Sequence, residues 1–145
     1  MYRHAFCCPC DSRGVKSDAT RTDYVLREFV DKEPGNSASI IKEEESQMFH
    51  VAVFQSARMK RLFGAFLEVV LVDTTHGNNA NQSKLFSNAV TDLFGKGQYV
   101  MHALVKAETK ENLRLAIDCF ENWNPPWTKI KVFMTDEAFH EMMSF

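Results

Sequence analysis

Two aspartates stand at the ends of apolar runs: Asp73 closes "EVVLVDT" and Asp136 closes "KIKVFMTD". A carboxylate in that place reads as a group delivered to the rim of a sheet. Two carboxylates held close together repel, so one keeps a proton or a cation bridges them. Magnesium suits the second case, because it prefers oxygen ligands, keeps several waters and often uses one or two protein carboxylates. Paired ions about 4 Å apart stabilise both the attacking and the leaving oxygen in phosphodiester cleavage, which makes nucleic acid the matching substrate. The same positions also have structural uses. An aspartate after a strand forms turns, and Asp136 before "EAFHEM" is placed to cap a helix.

Other reactive residues carry less. Cys7, Cys8 and Cys10 crowd near His4 while Cys119 stands alone, which is no disulfide framework. Structural zinc sites pair two separated ligand couples, and no second couple follows "HAFCCPC", so this end reads as a solvated terminus. His50 reads as a packed or rim histidine. His76 falls in a loop turned by Gly77, Asn78 and Asn79, and Asp92 is a turn former before "FGKG". Trp123 and Trp127 flank Pro125 and Pro126, and they read as packing the end of a helix onto a sheet.

The elements that must position the two aspartates follow from periodicity. "EVVLVDT" is a continuous apolar run of strand length, which predicts a strand buried on both faces and central in its sheet. "KLFSNAVTDLF" and "QYVMHALVKA" predict two more strands joined by a hairpin turn at Gly95, Lys96 and Gly97. "TKENLRLAIDCFENW" shifts to helical period behind a Thr109 cap, with Leu113, Ala116, Ile117 and Phe120 on one stripe, and "NPPW" ends it. "KIKVFMTD" is then a fourth strand, and "EAFHEMMSF" begins a last helix. The predicted fold is α/β: a mixed sheet with three antiparallel strands, a crossover helix, and a fourth strand parallel to the first. Neighbouring parallel strands send their C-terminal ends to one edge of the sheet, so Asp73 and Asp136 would meet there.

Upstream, "MFHVAVFQ" predicts a strand with Phe49, Val51 and Val53 on one face and His50, Ala52 and Phe54 on the other. "SARMKRLFGAF" predicts a helix capped by Ser56, with Met59, Leu62, Phe63 and Phe66 on its apolar face and Arg58, Lys60 and Arg61 on a solvated one. "TDYVLREFV" makes a short helix, and "DKEPGNSAS" reads as a turn or linker. This divides the chain into a weakly structured segment, residues 1–45, and one domain, residues 46–145. At 145 residues one ordinary core is affordable. The net charge of -2 makes no global electrostatic case for nucleic acid, and the seven methionines read as core filling. No apolar segment reaches the roughly 18 residues of a membrane-crossing helix. The expectation is a soluble intracellular protein without a membrane partner.

Three ordered stretches, "FQSARMKRLFGAFLEVVLVDTTHGNN", "DLFGKGQYVMHALVKAETKENL" and "NPPWTKIKVFMTDEAF", resemble the RNase H-like domain of the zinc finger SWIM domain-containing proteins, a family similar to Mutator-like element (MULE) transposases. The resemblance spans about residues 30 to 145. It implies an RNase H-like fold and, in the related transposases, an Asp-Asp-Glu (DDE) triad that binds magnesium for DNA strand transfer. On the matching motifs, "LVDTT" places the first acid at Asp73 and "FMTDEAF" the second at Asp136. The third acid belongs to a later helix beyond a fifth strand, so the fold is expected to be incomplete at Phe145, and the chain to be a fragment of a longer gene product, with a decayed remnant that needs a partner as the alternative. Glu141 lies about one helical turn after Asp136 and is no substitute. "CCPC" lacks the Cys-x-His partner of the SWIM motif, and His76 with Gly77 and Asn78 departs from the family's aromatic, Lys and Thr in that loop. The family reading implies a transposase-derived, nuclear domain with a DNA-associated or regulatory binding role, leaning to no catalysis by the chain as it stands. An active magnesium-dependent nuclease or transposase is one alternative. The other is a protein-interaction domain whose exposed fourth-strand edge takes a partner or a missing chain segment.

Overall fold

The computed structural model describes residues 18–46, 48–75 and 83–136. In chain order they form helix α1 (Asp18–Lys32), strands β1 (Ser37–Lys42) and β2 (Phe49–Gln55), helix α2 (Ala57–Ala65), strands β3 (Val69–Thr75), β4 (Lys84–Thr91) and β5 (Gly97–Val105), helix α3 (Lys110–Trp123), a 3-10 turn (Pro125–Lys129) and strand β6 (Val132–Met134). The strands make one mixed sheet in the order β1-β2-β5-β4-β3-β6. As expected, β3, β4 and β5 are antiparallel neighbours and β6 lies parallel to β3. No helix among the described residues is long and apolar enough to cross a membrane.

Residues paired across strands share a face, which divides the core in two. On the front face Val53, Val70, Phe86 and Met101 meet Phe63 of α2 and Leu113, Ala116 and Phe120 of α3. On the back face Leu26, Phe29 and Val30 of α1 cover Ala38, Ile40, Ala52 and Phe54. The helix stripes come out as the periodicity required, and both caps form: Ser56 Oγ accepts from Met59 N at 3.1 Å, and Thr109 Oγ1 from Asn112 N at 3.2 Å.

Four details differ from the sequence reading. Ser37–Lys42, whose first three residues read as part of a turn or linker, is an edge strand paired along its length with β2. The turn itself is Glu33 to Asn36, where Gly35 takes φ 95° and its bare Cα faces Ala57 Cβ. Phe49 changes face: Val51 pairs with Ile41 but Phe49 pairs with Lys42, so the register slips at His50 and Phe49 joins Ala52 and Phe54 behind the sheet. A bulge sets two residues against one and breaks the alternation beyond it. Third, β3 is not central; it is the second strand from the β6 edge. Val70 is fully buried, whereas Leu71 and Val72 are only half-buried because β6 beside them is three residues long and exposed. Fourth, β3 does not stop at Asp73 but runs on to Thr75.

The β4–β5 hairpin is built on Asp92, as a turn former should be. Its Oδ1 accepts from Phe94 N (2.9 Å) and Lys96 N (3.0 Å), and its Oδ2 from Gln98 Nε2 (2.9 Å). Gly95 takes φ 73° to complete the loop. These bonds, the Lys96 amide first, hold the Asp92 carboxyl below the ordinary aspartate range. A depressed folded-state pKa stabilises the fold above the unfolded-state value and loses that contribution as pH falls through the folded one. Acid titration of the urea midpoint should therefore fall more steeply below about pH 4 for the parent than for Asp92→Asn. Equal slopes would show that the carboxylate contributes nothing.

Candidate functional site

The register between β3 and β6 is set just before either strand begins. Glu68 O accepts from Lys131 N (2.9 Å) and Val132 N (3.1 Å), and Glu68 Oε1 pairs with Lys131 Nζ at 2.6 Å. The Lys131 ammonium holds the Glu68 carboxyl below its ordinary range. Val69 then lies beside Val132, Val70 beside Phe133 and Leu71 beside Met134, an offset of 63 residues throughout. Asp73 and Asp136 differ by the same 63, each two residues beyond the last paired rung. Parallel neighbours end at the same sheet edge, so the chain direction carries both acids there. Both are exposed.

Behind Asp73 the sheet is polar in a way the sequence reading missed. Asp73 lies opposite Ser87 of β4, Ser87 opposite His102 of β5, and His102 opposite Phe54 of β2, so the four share one rung of the back face. Ser87 is buried, and its Oγ meets His102 Nδ1 at 2.8 Å. The imidazole sits between the rings of Phe54 (5.4 Å) and Tyr99 (5.0 Å), and burial pushes its pKa down, favouring the neutral ring. The visible signal was a lone Ser and a lone His at alternate positions of two apolar strands. At the strand end, Thr75 Oγ1 lies 3.4 Å from Asp73 Oδ2.

The remaining sequence candidates fall into place as structure. Trp123 and Trp127 pack against the front core. Lys60 is not simply solvated: its Nζ donates to Ser37 Oγ at 2.6 Å and lies 6.0 Å from the Trp123 ring centre, and burial lowers its pKa. Arg58 and Arg61 stay exposed. Cys119 is buried on α3 with its thiol pKa raised by burial. His4, Cys7, Cys8, Cys10, His76 and Glu141 lie outside the described residues.

Residues 27–145 match the family described as zinc finger SWIM domain-containing protein 1/3, RNaseH-like domain. The chain belongs to that family. In this RNaseH-like domain the matched span takes in all six strands of the described residues, the crossover helix α3, and both aspartates. No solved structure is a significant match. Among the described residues no group of three or more His, Cys, Asp or Glu is placed to hold a metal ion. A magnesium ion asks for less than such a cluster, since one or two carboxylates with several waters suffice, and two exposed carboxylates at one sheet edge fit that demand. The ion would neutralise charge on a phosphate oxygen. Asp73 and Asp136 would hold it, each through carboxylate oxygens.

Proposed function

We propose that this RNaseH-like domain is transposase-derived and serves a nuclear, DNA-associated or regulatory binding role, with Asp73 and Asp136 as the first two acids of an ancestral DDE site. The shared offset of the two acids with the β3–β6 pairing supports the reading, since Asp73 and Asp136 each follow the last paired rung by two residues. A pair of carboxylates offers one divalent cation a place, whereas strand transfer through two metals requires more ligands. Binding of one divalent cation is the role these two residues support.

Magnesium titration followed by carboxyl-carbon NMR tests it. Saturable shifts confined to Asp73 and Asp136, with a dissociation constant of roughly millimolar order and loss in Asp73→Asn, are expected for so few ligands. Parallel incubation with duplex DNA and magnesium should leave the DNA intact. Cleavage that disappears in Asp73→Ala or Asp136→Ala would instead support the active nuclease or transposase. No response of either carboxyl would shift the reading to a protein-interaction domain. One observation favours that second reading: Val132, Phe133 and Met134 expose large apolar side chains along the β6 edge.

A further inference from the structure

Asn88 points into the front face of the sheet, where its neighbours on the same rung are Val72 and Met101. It is 97% buried by its residual exposure of 3%, yet its Oδ1 has no hydrogen-bond partner. A buried acceptor left without a donor costs about 1–3 kcal/mol, so such atoms are rare in folded proteins. Asn88 lines a cavity of about 70 Å³ between β3–β4 and α3, walled by Val72, Phe86, Ile117, Phe120, Trp127 and Phe133. The other polar lining residues are Glu121, whose carboxylate is bonded to Arg114, and the half-buried Thr135.

A water here would face six apolar side chains, with Asn88, Thr135 and Glu121 as its polar partners. An aliphatic group with a single donor matches better: its carbon atoms meet the six apolar walls and its one hydrogen meets Asn88 Oδ1. The space is about half the roughly 150 Å³ of a dry cavity that holds benzene, which limits the guest to a few heavy atoms.

We infer that this cavity binds a small neutral aliphatic molecule bearing one O–H or N–H donor, a short branched alcohol in the simplest case, with Asn88 Oδ1 as the acceptor. The site is independent of the acidic pair, although Thr135 in its wall directly precedes Asp136.

Isobutanol is the probe, with xenon as a guest that needs no acceptor. Titrating the labelled chain should give saturable NMR shifts confined to the Ile117 methyl, the Phe120 ring and the Trp127 indole. In Asn88→Ala, xenon should still perturb these signals while isobutanol weakens roughly fivefold, the value of one neutral hydrogen bond. Equal isobutanol binding in parent and variant overturns the inference, as do shifts that never saturate. Should Asn88→Ala not fold, the parent decides alone. Isobutyl methyl ether, which lacks the donor, must bind more weakly than isobutanol, and equal binding overturns the proposal. A water that keeps its NOE to the Asn88 amide at saturating alcohol overturns it too.

Discussion

Phe120→Ala is expected to lower the free energy of unfolding by about 4 kcal/mol, read as a shift in the urea midpoint at unchanged slope. Phe120 is 2% exposed at the centre of the front core, and its ring meets Phe63 edge-on at 4.9 Å between centroids. Removing it loses the transfer energy of the ring and leaves a void beside the Asn88 cavity, whose wall it already forms. That second effect keeps the cost above the low end of the usual range of about 3–5 kcal/mol, because a site next to existing empty space collapses poorly. A double-mutant cycle with Phe63→Leu should show about 1 kcal/mol of coupling from the edge-to-face contact. A loss under about 1.5 kcal/mol for Phe120→Ala would mean that α3 is not held on the sheet by this ring.

Asn124→Ala is expected to cost about 3 kcal/mol, nearly as much, through polar rather than apolar loss. Gln55 at the end of β2 and Asn124 at the end of α3 face each other as paired amides. Asn124 Nδ2 donates to Gln55 Oε1 at 2.9 Å, and Gln55 Nε2 returns a bond to Asn124 Oδ1 at 3.0 Å. The spare hydrogens go to Phe120 O (2.8 Å) and Val100 O (2.8 Å), so the pair is satisfied although both residues are buried. Truncating Asn124 strands the Gln55 amide in a dry interior and removes the side-chain bond to a carbonyl at the end of α3. The informative comparison is Asn124→Ala with Gln55→Leu. That double variant should recover part of the loss, because two apolar groups demand nothing of each other. No recovery would assign the cost to the helix end alone.

How much of this was legible beforehand follows from the range of each interaction. The helices were readable because their apolar stripes and caps are local: Leu113, Ala116 and Phe120 recur at helical spacing, and Ser56 and Thr109 bond amides three residues on. The hairpin was readable from its glycines and its anchor from Asp92, but the turn lies earlier than Gly95–Gly97: Gly97 already pairs with Thr91, and Leu93 and Phe94, read as strand, are exposed in the turn. Ser37–Lys42 was hidden because "SASIIK" is short and follows a Pro-Gly turn, and its strand state depends on β2, to which it pairs. The change of face at Phe49 was hidden as well, since a bulge is a relation between two strands and no alternation within one of them reveals it.

By itself the sequence determined helices α2 and α3 and strands β2 to β6, though not β1, and that β6 would return parallel to β3, with Asp73 and Asp136 each two residues past the last shared rung. Those outcomes depend on periodicity, chain direction and connection length, all of which a linear string carries. Only the tertiary structure decided what surrounds them. It drew Ser87 and His102 onto the Asp73 rung from two other strands, closed Gln55 on Asn124 across the core, and left Asn88 Oδ1 alone in its cavity. Hydrogen-bond satisfaction in a buried place depends on which atoms arrive from elsewhere in the chain, and that is settled by packing.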